Sequence, residues 1–262
     1  MSRSPFISQI ALATAALLAI TAGASAAPAI ALVGDKTLVP FDTDSGVAGT
    51  PMDVTGVDRL LGIDVRPADM MLYGVGADGA VVTIDLATGV ATTKSTLSET
   101  LPADVSASID FNPAADRLRL VGSDGTNLRA NVDDGAVTVD GKLNFDPADA
   151  NAAATANVVA VAYTNSVGKP DTTKMYDIDT TLGLLQQTTP NDGVLATRGA
   201  LGVSGDAYAF DIAATADLVN TAFLVTGGAV HSVDLESGTA TKMSDLSGIE
   251  GSVRDIAILP AM

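Results

Sequence analysis

Short apolar runs alternate with turn-forming residues along most of the chain. The runs are rich in Val, Ile, Leu and Thr, and they end in Gly, Pro, Asp or Asn at close intervals. This pattern is typical of β-strands joined by tight turns. Beyond the amino-terminal region, no stretch keeps a helical apolar period long enough for a substantial helix, and residues 146–154 are expected to form a turn or two at most. The pattern predicts an all-β protein.

A recurring phrase divides these runs into five units: an apolar residue, Asp or Asn, three further residues, and Gly. Its Asp or Asn positions are Asp42, Asp85, Asn131, Asp179 and Asp234. They lie 43, 46, 48 and 55 residues apart, a spacing typical of the blades of a propeller. The Asx side chain accepts hydrogen bonds from turn amides, and Gly adopts the positive φ that the turn requires. The phrase therefore predicts the scaffold rather than a site.

Each unit contains enough strand-like sequence for about four strands. In the second and third units these are residues 60–65, 71–75, 80–86, 90–96, 107–111, 117–121, 127–131 and 136–139. In the fourth and fifth units they are 158–163, 173–178, 184–188, 208–212, 222–225, 229–235 and 239–243.

The first unit lacks an opening strand, and the chain ends on an unmatched one. Residues 30–33 begin the first unit, while residues 253–260 carry the same apolar run and final Pro as 63–67. A carboxyl-terminal strand that completes the first blade would close the ring and leave no open seam. We therefore predict a single-domain β-propeller with five four-stranded blades. A six-bladed ring would need another phrase, and an open β-solenoid would not need a split first unit.

Several motifs resemble the DUF4394 family of bacterial proteins. They occupy residues 61–67, 109–119, 126–129, 157–165 and 200–203, and the resemblance extends over about residues 29–260. The resemblance implies a propeller-like domain that is typically exported and whose activity is not established. It carries over no catalytic residue.

The first 26 residues have the features of a secretory signal peptide. Arg3 precedes the apolar run 10–20, and Ala24-Ser25-Ala26 provides small residues for cleavage between Ala26 and Ala27. We therefore expect an exported protein, periplasmic or extracellular, in which residues 27–262 form the propeller. An uncleaved membrane anchor is the alternative, but the run is short for a membrane span, and no later segment approaches that length. Membrane insertion is therefore not expected.

Composition narrows the range of partners. The net charge of −17 disfavours binding to nucleic acid or anionic lipid. The chain has no Cys, which excludes thiol catalysis and zinc–thiolate sites. It also has no Trp and only 4% aromatic residues, which argues against stacking platforms for carbohydrates or single-stranded nucleic acid.

Three acidic residues are the candidate metal ligands. Asp64, Asp110 and Asp211 occupy comparable places in the first strands of their units, where the other two units have Ala162 and Ala257. The ends of innermost strands surround the central channel of a propeller, so these carboxylates could converge there. With nearby Asn112 and Asn165, they would suit a hard cation such as Ca²⁺. A turn cap for each Asp is the favoured interpretation, because a structural role recurs with the repeat whereas a site need not.

The only concentration of basic residues comprises Arg117, Arg119 and Arg129. These side chains could hold an anionic ligand, or they could pair with acidic neighbours, for which the candidates are Asp110, Asp116, Asp124 and Asp133. In so acidic a protein, ion pairing is the favoured interpretation.

Two further features carry weaker signals. His231 is the only histidine, and its neighbour Ser232 faces the other side of the strand, so no local catalytic pair is expected. Residues 146–151 alternate oxygen donors as a calcium loop does, but they lack its Gly and its distant Glu. An inter-blade loop with Asx turns is the favoured interpretation.

Two hypotheses for function follow. The first is a non-catalytic propeller that binds a small molecule or a protein with its loop-bearing face. The alternative is a Ca²⁺-dependent hydrolase or lyase that uses the carboxylates at the channel mouth. Function is expected where the repeats disagree, namely at residues 137–157, 164–173 and 189–207 and at the channel-facing strand ends.

Overall fold

The computed structural model describes residues 27–260, so the expected signal peptide lies outside the described residues. The described residues form the strands β1 (Pro28–Val33), β2 (Thr37–Asp42), β3 (Met52–Asp53), β4 (Leu60–Val65), β5 (Leu72–Gly76), β6 (Ala80–Ile84), β7 (Ala91–Thr96), β8 (Ala107–Asn112), β9 (Arg117–Gly122), β10 (Asn127–Ala130), β11 (Val137–Val139), β12 (Asn144–Phe145), β13 (Val158–Tyr163), β14 (Met175–Asp179), β15 (Gly183–Thr189), β16 (Val194–Gly199), β17 (Tyr208–Ala214), β18 (Asn220–Thr226), β19 (Ala229–Val233), β20 (Ala240–Asp245) and β21 (Val253–Ile258). Within residues 27–260, no helix has the length and apolar character needed to cross a membrane.

The strands form five separate sheets, which are the blades of a propeller. The strand orders are β21-β1-β2-β3, β4-β5-β6-β7, β8-β9-β10-β11, β13-β14-β15-β16-β12 and β17-β18-β19-β20, for blades 1 to 5. The first strand of each order contacts the first strand of the next blade, and blade 5 contacts blade 1. The predicted five-bladed all-β propeller is therefore confirmed.

The carboxyl-terminal strand closes the ring. β21 runs antiparallel to β1, with Ala29 opposite Ile258 and Leu32 opposite Asp255. β21 thus provides the innermost strand of blade 1, as the split first unit predicts. Because the first and the last strand of residues 27–260 share one sheet, no blade in this range is left with an open lateral face.

The core lies between the blades. The described residues contain five clusters of buried apolar side chains, and each cluster joins the facing surfaces of two neighbouring blades. Between blades 2 and 3, for example, the rings of Tyr73 and Phe111 meet edge to face with 5.3 Å between centroids. Since both faces of a blade are covered, the inner strands read as continuous apolar runs rather than as alternating ones.

The recurring phrase forms the predicted turns. In the turn after β6, Oδ1 of Asp85 accepts hydrogen bonds from the amides of Ala87 and Thr88. Gly89 then adopts a φ of 70°. Four of the phrases follow the third strand of a blade, but the phrase at Asp179 follows the second strand, β14. That turn therefore lies on the opposite face of the ring from the other four. The fourth phrase resembles the others only in the local chemistry of its turn.

Blade 4 has more strands than the sequence pattern indicates. β16 was not predicted, and the short β12 pairs with it in parallel through Asn144 and Phe145. The residues from 146 to 154 form turns, not a helix. β12 contains only two residues, which is too few for any period to be recognised, and its pairing depends on the position of β16.

We expect the substitution Ile256→Ala to lower the free energy of unfolding by about 2–5 kcal/mol. Ile256 is 2% exposed and packs in the cluster between blades 5 and 1, so truncation leaves a cavity at the closure of the ring. Chemical denaturation measures the change. The matched control is Val139→Ala on the outer strand β11, where 66% exposure limits the expected change to about 0.5 kcal/mol. Equal effects of the two substitutions would contradict the closure.

Candidate functional site

The innermost strands each have one edge that faces the axis and has no neighbouring strand. Buried amides on that edge need acceptors from elsewhere. Four carboxylates provide them, and each accepts a hydrogen bond from the innermost strand of the next blade. The bonds run from Ile63 to Asp255 (2.9 Å), from Phe111 to Asp64 (2.7 Å), from Tyr163 to Asp110 (3.0 Å) and from Ile258 to Asp211 (2.6 Å).

Most of the remaining carboxylate oxygens accept an amide of their own strand. Asp64, Asp211 and Asp255 each accept the amide of the following residue through Oδ1. Asp110 differs, because its Oδ2 has no hydrogen-bond donor among residues 27–260. The carboxylates therefore hold the axial edges of the strands together, and one oxygen remains available.

These bonds define which positions are equivalent around the ring. Asp64 bonds to the amide that directly follows Asp110 in the next blade. In the same way, Asp110 and Asp211 bond to the amides that directly follow Ala162 and Ala257. The expectation that these alanines occupy the places of Asp64 is therefore confirmed, and blade 4 lacks the carboxylate.

Asp255 belongs to the same group of carboxylates but was not predicted from the sequence. It lies two positions before Ala257 and, because strand side chains alternate, on the same face of β21. The signal for Asp255 is therefore its position two residues before Ala257, one period of a β-strand away from the aligned position. Gly62 makes room for this carboxylate, since a Cβ at that position would lie 2.7 Å from Oδ2 of Asp255.

The structure brings the three predicted metal ligands together. Asp64, Asp110 and Asp211 each offer an oxygen that lies within 4.8 Å of the other two. The three residues are between 3% and 7% exposed. None of the salt bridges among the described residues involves them or Asp255. The cluster is thus a buried concentration of negative charge without a paired base.

Burial raises the pKa of the three clustered carboxyl groups and of Asp255. For Asp64, desolvation is the main cause and the charge of Asp211 adds to it. Desolvation likewise raises the pKa of Asp110, followed by the charges of Asp64 and Asp211. The pKa of Asp255 is well above its usual value for the same reasons, and that of Asp211 is raised to about 6. The raised pKa values favour the protonated form of these groups, and a bound cation would favour the ionised form.

A cavity of about 480 Å³ opens at the carboxyl-terminal ends of the innermost strands. Asp64 and Asp211 form part of its lining, so the cavity reaches the carboxylate cluster. Phe223, Leu259 and Val167 contribute to walls that are mainly apolar. Among the described residues, its lining includes no Lys, Arg or His.

The two asparagines named with the cluster are engaged elsewhere. Oδ1 of Asn112 accepts the amide of Ala115, which caps the turn after β8. The side chains of Asn165 and Asn220 bond to each other at 2.8 Å. Neither amide is therefore assigned as a ligand.

Two of the three arginines form ion pairs, but with a different partner from those predicted. Arg119 and Arg129 both bind Asp140, at 2.5 Å and 2.9 Å. Arg117 donates to the backbone carbonyls of Ala115 and Asp116. The four acidic partners named from the sequence were therefore wrong for Arg119 and Arg129, because Asp140 lies in an irregular segment whose position depends on the fold.

The remaining candidates take structural positions. His231 is 5% exposed, its Nδ1 has no partner among the described residues, and burial lowers its pKa. It is not part of the cavity lining. Asp146 and Asp149 accept the amides of Ala148 and Asn151, so this segment forms the expected Asx turns.

Two solved structures align with most of this chain at low sequence identity. The chain is similar to a structural genomics protein of unknown function from Bacteroides thetaiotaomicron, with 17% identity and a TM-score of 0.55 over 92% of this chain and 68% of that chain. It also aligns with a protein of unknown function from Bacteroides caccae, with 10% identity and a TM-score of 0.46 over 83% and 72% of the two chains.

The likeness to the first structure concerns the fold alone, and no curated protein matches the chain. The sequence model of a family described as "Domain of unknown function (DUF4394)" matches residues 37–257. The motifs quoted above lie within the matched region or overlap it. The chain therefore belongs to the DUF4394 family.

Proposed function

We propose that this protein is a non-catalytic binding propeller whose ligand site is the axial cavity. One observation carries the proposal: a cavity of about 480 Å³ with apolar walls ends on two buried carboxylates. Small-molecule sites typically have about 300–1,000 Å³ and combine apolar walls with a few polar groups. The cavity also contains Ser166 and Val167, which belong to an insertion where the repeats disagree.

The hydrogen bonds of the carboxylates favour binding over catalysis. Asp64 and Asp211 each accept two backbone amides, which fixes their orientation and supports neighbouring strands. A carboxylate with this structural role can orient a ligand without exchanging protons with it. Hydrolases of the Ser–His type need a nucleophile and a base in contact, and His231 is absent from the lining.

A cation site is the second candidate, and the 4.8 Å grouping of Asp64, Asp110 and Asp211 favours it. Ca²⁺ binds oxygen ligands at about 2.3–2.6 Å, so ligand oxygens on opposite sides of an ion are about 5 Å apart. An ion held there would border the cavity through Asp64 and Asp211. It would then be placed to polarise an ester or lactone carbonyl, which is the chemistry of a Ca²⁺-dependent hydrolase or lyase.

Binding of a neutral apolar fluorophore such as Nile red tests the cavity. We expect saturable binding with one site per chain, and about a tenfold loss of affinity in Ala214→Phe. Ala214 is a half-buried lining residue, so the larger ring fills the space that the probe occupies. Fluorescence titration gives both affinities.

The matched control for this titration is Ala87→Phe. Ala87 is exposed in the turn after β6, outside the cavity. It introduces the same ring without filling the cavity, so the affinity should remain unchanged. Equal affinities of Ala214→Phe and the wild-type protein would place the probe elsewhere and contradict the proposal.

The carboxylate cluster should make cation-free protein less stable as the pH rises. A carboxyl group whose folded-state pKa is raised contributes stability below about pH 4 and loses it as the pH passes the folded-state pKa. For Asp211, with a pKa of about 6, the loss is of the order of 3 kcal/mol between about pH 4 and 7. Denaturation in EDTA across this range measures the slope.

The substitution Asp110→Asn should make this slope shallower, because it removes one raised pKa and one repelling charge. The control Asp234→Asn affects an exposed turn residue whose pKa is lowered by its turn amides, so the slope above pH 4 should not change. If the stability of both the wild-type protein and Asp110→Asn were independent of pH between 4 and 8, the prediction that the raised pKa values destabilise the protein would be wrong.

Calcium should offset this loss if the second candidate is correct. We expect Ca²⁺ to raise the melting temperature of EDTA-treated protein, and to raise it more at pH 8 than at pH 5, because protons compete for the ligands. Calorimetry at millimolar Ca²⁺ provides the measurement, with Asp110→Asn expected to lose most of the shift. No shift at pH 8 would exclude calcium at this cluster.

A further inference from the structure

The ionisable side chains on the cavity lining are acidic. Asp64 and Asp211 are the ionisable side chains that line it within the described part of the chain. Both are at least nine-tenths buried, so a charge that meets them is poorly screened by water. An anionic head group would be repelled at this point, whereas a cationic one would be attracted.

The carboxylates can still accept hydrogen bonds from a ligand. Each of their oxygens has two lone pairs, and the backbone amides described above use one of these on each oxygen of Asp64 and Asp211. A primary ammonium group offers three donors that can reach neighbouring acceptors. Because an ionised carboxylate only accepts hydrogen bonds, the donors that meet Asp64 and Asp211 in this interaction come from the ligand.

The rest of the cavity requires an apolar body. Val65, Ile212, Phe223 and Leu259 contribute to walls on which burial of apolar ligand surface is favourable. A bare cation or a small polar amine would leave most of the 480 Å³ unfilled. The ligand is therefore larger than its head group.

The apolar surface continues beyond the cavity to its rim. Met70 and Val219 line the cavity and are 47% and 60% exposed, and the adjoining Leu218 is 41% exposed. Met70 and Leu218 have φ values of 60° and 59°, a conformation that costs energy for side chains other than Gly. These two turns thus expose large apolar side chains to solvent beside the opening of the cavity, although their backbone conformation is strained.

We infer that the ligand is an amphipathic amine, with a protonated primary amino group at the carboxylates and an aliphatic body along the apolar walls and rim. This inference rests on the proposed binding function and specifies its ligand class. The net charge of −17 also raises the local concentration of cationic ligands around the protein.

The experiment compares three probes that share one apolar body: n-octylamine, n-octanol and n-octanoate. Isothermal titration calorimetry of EDTA-treated protein at pH 7.5 gives the three dissociation constants. We expect octylamine to bind at least about tenfold more tightly than octanol, and octanoate to bind most weakly. Displacement of Nile red by octylamine locates the binding in the cavity.

Two variants identify the group responsible. Asp211→Asn should remove most of the preference for octylamine over octanol while octanol binding is retained. Asp177→Asn is the matched control, because Asp177 is also fully buried on a strand but lies outside the cavity lining, so the preference should persist. Melting temperatures of both variants report on the fold.

The remaining outcomes separate this inference from the proposed function. If Nile red binds but octylamine and octanol bind equally, the ammonium head is excluded and the binding cavity stands. If Nile red and all three probes fail to bind, the proposed function itself is excluded. If millimolar Ca²⁺ reverses the preference so that octanoate binds best, the cluster is a metal site and the inference is overturned.

Discussion

The inner edges of five strands impose the main constraint on this protein. Closing the sheets into a ring covers their faces, but it leaves the axial edge of each innermost strand without a neighbour. Buried amides on these edges must find acceptors, since an unpaired buried amide costs about 1–3 kcal/mol. Asp64, Asp110, Asp211 and Asp255 satisfy this requirement by bonding from one blade to the next. The hydrogen bonding of the ring therefore depends on carboxylates at its centre.

The same constraint creates the electrostatics of the candidate site. Acceptors that serve the strand edges are also charges that repel one another, and burial raises their pKa values further. Blade 4 has Ala162 in place of a carboxylate, and the insertion after β13 places Ser166 and Val167 on the cavity lining. The blade that departs from the repeat thus contributes residues to the cavity. Asp64 and Asp211 have a structural role in the ring and also line the proposed binding site.

Much of the fold could be predicted from the sequence, since strands and turns are local. The turns at Asp85 and its counterparts, the blade count and the closing strand β21 all depend on patterns within a few residues or on their repetition. The predictions failed where pairing depends on distant segments. β12 becomes a strand because β16 lies beside it, and Asp140 pairs with Arg119 and Arg129 across an irregular segment that has no periodic signal.

The candidate site shows the same division. The comparable strand positions of Asp64, Asp110 and Asp211 follow from the repeat alone, because repeated units place equivalent residues at equivalent points. Three further facts require the folded ring: an oxygen of each lies within 4.8 Å of the others, Asp255 lies beside Gly62 and bonds to the amide of Ile63, and a cavity reaches two of the carboxylates. These facts depend on how five blades curve around one axis, and that curvature is set by packing between residues far apart in the chain.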